Sequence, residues 1–146
     1  MPDHVHLALW LFGDATIGEI MRDFKKFTAV RLIRQATVEG NTALLDAFAA
    51  GGQQTGRCEH KVWQDGFWDT HVYTEAFLRG QLHYFHRNPV RAGLVAVPEA
   101  YPYSRYRNYV CGDESLIEID RGWGGWGWAR RGRAATAHLR MRTARG

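Results

Sequence analysis

The sequence predicts one compact domain that mixes strands with helices, and three observations carry that expectation. A stretch near the start alternates with period two, two later segments carry apolar residues at three-four spacing, and an Asp-Gly dipeptide lies between short aromatic runs. With 146 residues, 45% of them hydrophobic, and six Trp, six Tyr and seven Phe, the chain can bury a core without disulfides or structural metals.

In Val5 to Phe12 the residues Val5, Leu7, Leu9 and Leu11 fall on one strand face and His4, His6, Ala8 and Trp10 on the other. This strand is expected to be central and buried on both sides. Gly13 and Asp14 close it, and Thr16 with Glu19 forms a capping box for a helix from Ile17 to about Gln35 or Val38. Ile17, Ile20, Met21, Phe24 and Phe27 make its expected core stripe, with Arg22, Lys25, Lys26, Arg31 and Arg34 as a basic edge.

Residues 39–60 are rich in Gly and Gln and read as a variable loop, with a short helix at Ala43 to Ala49. Lys61 to Tyr73 reads as a hairpin or bent strand pair about Asp65-Gly66. Thr74 N-caps a second helix, Glu75 to Arg87, supported by Glu75 four residues before Arg79 and stopped by Pro89. One more turn at Val90 to Ala92, closed by Gly93, is expected after it.

Charge is unevenly spread. From residue 121 onward there are seven arginines and no acid, against 12 basic and 15 acidic groups before it. The chain is therefore expected to divide into a body, residues 1–120, and an Arg/Gly/Trp-rich basic tail, 121–146. The tail is either drawn to polyanions or simply solvated. Its Gly122, Gly124 and Gly127 satisfy G-x-G-x-x-G, but no acid follows Asp120 to hold a ribose, so a dinucleotide site is rejected. Cys58 and Cys111 are too far apart for a CxxC pair and read as free thiols of a cytoplasmic protein. No apolar run approaches the roughly 20 residues of a membrane span.

His4 and His6, about 7 Å apart on one sheet face, could converge on one ion or could be packed beneath a helix. Tyr84 and Asn88 are four residues apart and share a helix face. A tyrosine hydroxyl can act as a nucleophile, and an Asn carbonyl is a hard ligand suited to Mg²⁺ or Mn²⁺. Tyr84, flanked by His83 and Phe85, could instead simply pack.

The blocks MPDHVHLAL, Ile-Met-Arg-x-Phe-Lys-x-Phe-Thr, WQDGFWDTHV, HYFHRNPVRAGLV and YPYSRY, in this order over about residues 1–110, resemble the IS200-type single-tyrosine HUH transposases. Within them they most resemble the REP-associated tyrosine transposases. The resemblance implies a ferredoxin-like α+β domain, an antiparallel sheet with helices on one face. It also implies that the chain lacks the strand and helix that normally precede the HUH strand.

On that resemblance His4, His6 and Asn88 hold a divalent ion, Mg²⁺ or Mn²⁺, and Tyr84 attacks a phosphodiester of single-stranded, hairpin-containing DNA. The product is a 5′-phosphotyrosine. The basic residues Lys25, Lys26, Arg31, Arg34, Arg87 and Arg91 are candidate contacts to the strand. His86 could also meet phosphate, whereas His71 and Asp69 receive no catalytic role. A monomer or a homodimer fits, with the tyrosine acting in cis or in trans. The competing expectation is a non-catalytic DNA-binding remnant.

Overall fold

The computed structural model describes residues 1–113 and 133–142. The elements run β1 (His4–Leu11), α1 (Ile17–Val38), α2 (Thr42–Thr55), β2 (Trp68–Val72), α3 (Glu75–Arg91), a 3-10 turn (Pro98–Ala100), α4 (Tyr106–Val110) and β3 (Arg133–Arg140). The fold is α+β, and among the described residues the sheet has three antiparallel strands in the order β1-β3-β2. The tryptophans and glycines expected at 122–128 lie outside the described residues. So do the remaining tail positions at 114–132 and 143–146.

Residues 133–140 depart from the expected tail, because they form the middle strand. Ala135, Ala137 and Leu139 are all buried, Leu139 completely. The period-two alternation of small and apolar residues accounts for this, since a middle strand wants little side-chain bulk on its crowded faces. Among the described residues β3 is in the middle and β1 is an outer strand, and most residues of β1 are half-buried instead of enclosed on both sides.

The chain divides into two compact units. One contains Pro2–Leu7, Asp14–Asp69 and Ala137–Gly146. Its α1 begins as the sequence indicates: Thr16 Oγ1 accepts from the Glu19 N–H at 3.2 Å while the Glu19 carboxylate accepts from the Thr16 N–H at 3.0 Å. Of the expected stripe, Met21 is buried and Phe24 half-buried, but Phe27 is 63% exposed. Met21, Phe24, Thr28 and Ala36 define the inward stripe, and the helical period carries Phe27 round to the face of Arg31 and Arg34. Thr28 Oγ1 accepts from the Trp63 indole N–H at 3.0 Å and donates to Phe24 O at 2.7 Å, tying α1 to residue 63.

The expected variable loop is instead mostly helix. Asn41 caps α2 by accepting from the Leu44 N–H, and Gly56, at φ 60°, ends it. Gly51 and Gly52 lie inside α2 and are buried. A Cβ on Gly52 would strike the carbonyls of Cys58 and Glu59, and one on Gly51 would strike the Arg142 side chain. These glycines allow close approach of chain segments and do not mark a loop.

The Asp65-Gly66 turn exists, with Gly66 at φ 68°, but its limbs do not form a hairpin with each other. Trp63 bridges Met141, the Gln64 N–H donates to Arg140 O at 2.9 Å, and the Arg142 N–H donates to Val62 O at 2.7 Å. Both limbs pair with the same C-terminal strand, a partner that no local sequence signal specifies.

The other unit contains Met1, Ala8–Gly13 and Thr70–Thr136. Thr74 caps α3 by accepting from the Phe77 N–H at 3.1 Å, and Arg79 donates to Glu75 at 2.6 Å. Val72 and Leu78 pack with Trp10 and Leu82. Pro89 does not stop α3, which continues to Arg91. Proline removes one N–H but tolerates the helical φ, and the turn closes through Leu94 N–H to Pro89 O at 2.9 Å with Gly93 at φ 68°. Cys58 and Cys111 are free and exposed. Among the described residues no helix is long and apolar enough to cross a membrane.

Candidate metal centre

The alternation of β1 sets His4 and His6 on one face, and their ring centroids stand 5.0 Å apart. A third imidazole joins them from β3. His138 lies 4.9 Å from His4 and 4.5 Å from His6, centroid to centroid. One ring nitrogen of each residue lies within 4.8 Å of the others, and all three residues belong to the same compact unit.

The neighbours of this cluster suit an ion. Asp3 Oδ1 lies 2.7 Å from His4 Nδ1, so the carboxylate holds the ring and its tautomer and leaves Nε2 as the donor atom. His138 Nε2 is buried and has no hydrogen-bond partner among the described residues. Burial, then the nearby His138 and His4, pulls His6 down to about 4. Burial also lowers His138, with His4 and Arg140 acting in the same direction. Imidazoles kept neutral are the form that binds metal. Burial opposes ionisation of Asp3, but the hydrogen bond from His4 outweighs it with the help of charge, and its pKa falls below the usual carboxylate value. The donor set therefore fits a divalent ion.

His138 lies in the stretch expected to be tail. Its signal was present, since it alternates with Ala137 and Leu139 as a strand residue would. What the sequence withheld was its pairing with β1. Trp68, at the start of β2, is 62% exposed, with its ring 5.6 Å from that of His138.

Tyr84 and Asn88 both lie on α3, one turn apart, in the other unit. The Tyr84 ring is 43% exposed, and the Arg91 guanidinium sits 5.7 Å from its centroid, within cation–π reach. Asn88 is half-buried. Arg87 and Arg91 are exposed.

His86 does not face outward to meet phosphate. Its Nδ1 lies 2.8 Å from Ser104 Oγ, and its ring packs edge-on against Tyr106 and tilted against Tyr109. Burial, reinforced by His83, pulls it down to about 4.

On α1, Lys26, Arg31 and Arg34 are exposed, and the Arg31 guanidinium lies 5.1 Å over the Phe27 ring. Lys25 is otherwise engaged: its ammonium donates to Gln64 O at 2.9 Å and to Gly66 O, and so pins the Asp65-Gly66 turn. Burial lowers its pKa against the pull of Asp65.

The chain is similar to a curated protein of Haemophilus influenzae described as "Putative REP-associated tyrosine transposase". The two are 27% identical over 110 residues, which is 75% of this chain and 57% of that protein. The chain thus spans little more than half the length of the relative. No family model matches the chain, and no solved structure does.

Proposed function

We propose that the chain is a transposase-like, metal-dependent endonuclease and strand transferase for single-stranded DNA, working through a 5′-phosphotyrosine intermediate on Tyr84. The observation that carries this reading is the clustering of the two motif histidines, His4 and His6, with a carboxylate behind one of them. The ordered sequence blocks and the transposase relative support it.

His4 and His6 hold a divalent ion of the Mg²⁺ or Mn²⁺ type, with Asn88 as the candidate ligand from α3. When bound, such an ion supplies Lewis-acid neutralisation of the scissile phosphate. Asp3 keeps His4 in the tautomer that presents Nε2. The Tyr84 hydroxyl loses its proton and its oxygen bonds to phosphorus, while the P–O bond to the 3′ oxygen breaks and a 3′-hydroxyl leaves with the proton. A later 3′-hydroxyl reverses the step by attacking the phosphotyrosine, so no external energy source is needed. The Arg91 guanidinium lies 5.7 Å from the Tyr84 ring centroid, where its charge is available to the scissile phosphate. Lys26, Arg31, Arg34 and Arg87, all exposed, are available to the phosphates of an unpaired strand, acting in a monomer or a homodimer.

The test is a suicide assay with an end-labelled hairpin oligonucleotide and Mn²⁺, run on a denaturing gel. A slow protein-DNA band that is present in the wild type and absent in Tyr84→Phe is expected. Binding in a gel shift with no covalent band would overturn the catalytic reading and leave a DNA-binding remnant.

A further inference from the structure

The resemblance names two histidines and a residue of α3 as ion ligands, but the cluster contains a third imidazole that this scheme does not use. We infer that His138 on β3 is a protein ligand of the histidine centre, making it a three-imidazole site for a borderline divalent ion, Zn²⁺, Co²⁺ or Mn²⁺, in preference to Mg²⁺. The inference rests on the reading that this site holds an ion and specifies which residues and which class of ion.

Three observations support it. The ring of His138 is closer to His6, at 4.5 Å, than His4 is, and its nitrogen joins theirs within 4.8 Å. Its Nε2 is buried without a hydrogen-bond partner among the described residues, a cost that simple packing leaves uncompensated and an ion removes. Asp3 occupies His4 Nδ1 in the manner of a carboxylate that orients a metal-bound imidazole.

The class of ion follows from the donor atoms. Mg²⁺ takes oxygen ligands and gives up water reluctantly, whereas neutral imidazole suits the later first-row ions, which bind nitrogen more tightly in the Irving–Williams order. Three protein nitrogens also leave a coordination position open, the arrangement of a catalytic and not a closed structural site. A phosphate oxygen can enter there.

The test uses the full chain without DNA, so it reads the ion and not the nicking reaction. Cobalt(II) titrated into the wild type should give visible absorption that saturates at one ion per chain and survives a tenfold excess of Mg²⁺. X-ray absorption of the wild-type Zn²⁺ or Co²⁺ form should count three imidazoles. His138→Cys should add a near-ultraviolet thiolate-to-cobalt band, which the wild type should lack, since Cys58 and Cys111 are not among the clustered ligands. His138→Ala should lose at least tenfold in affinity. Two imidazoles in the wild type, or displacement of cobalt by equimolar Mg²⁺, would overturn the inference. A persisting Tyr84-DNA band in the suicide assay would then show that the nuclease reading survives without it.

Discussion

His6 and His138 face each other at 4.5 Å between ring centroids on neighbouring strands, although 131 residues separate them in the chain. The contact ties the start of the chain to a C-terminal strand and makes the candidate metal centre depend on both. Four expected outcomes follow from the surroundings of this pair and from the packing that holds it.

Asp3→Asn should weaken metal binding by about 10- to 100-fold while leaving the fold intact, because Asp3 orients a ligand and is itself about half exposed. Competition against a chromophoric chelator measures this. Unchanged affinity would mean that Asp3 does not set the His4 tautomer.

Leu139→Ala should cost about 2–5 kcal/mol in urea denaturation, since the side chain is completely buried in the middle strand. Removing residues 133–146 should abolish cooperative unfolding altogether. A truncated chain with the parent's unfolding midpoint would return this segment to the status of a tail.

Gly52→Ala and Gly80→Ala should act in opposite directions. At Gly52 the added methyl meets two backbone carbonyls, and the strain of displacing them should cost about 1–3 kcal/mol. At Gly80, inside α3 with open space around it, alanine should stabilise by about 0.5–1 kcal/mol through its better helix propensity. Thermal melts of the two variants side by side would show whether α2 is packed as described.

Stability without added metal should fall as the pH drops from about 6.5 toward 4. His6 and His86 are both pulled to about 4 in the folded chain, chiefly by burial, from an unfolded value of 6.5. Between those values the unfolded chain binds more protons, so acid favours unfolding, and the histidines' contribution is fully present only above the unfolded value. Urea midpoints at pH 7 and pH 5 test the sign. Equal midpoints would show that these rings are not held neutral by the fold.

Much of this protein was legible without coordinates because the signals are local. Period-two alternation placed His4 and His6 on one face, the Thr16-Glu19 box started α1, and the cap at Thr74 with the Glu75-Arg79 pair started α3. Hydrogen bonds and side-chain pairs three or four residues apart are written in the order of the residues themselves. The same locality put Tyr84 and Asn88 one turn apart on α3.

Only the tertiary structure decided what each segment meets. Phe27 fits a core-facing spacing, yet it is exposed because the inward stripe runs through Met21, Thr28 and Ala36. Gly51 and Gly52 look like loop residues until chain segments and the Arg142 side chain close over α2. His138 becomes a candidate ligand because β3 pairs beside β1, and a strand carries no local mark of its partner: register and neighbour are settled by which distant backbone satisfies its hydrogen bonds and which apolar faces are buried together.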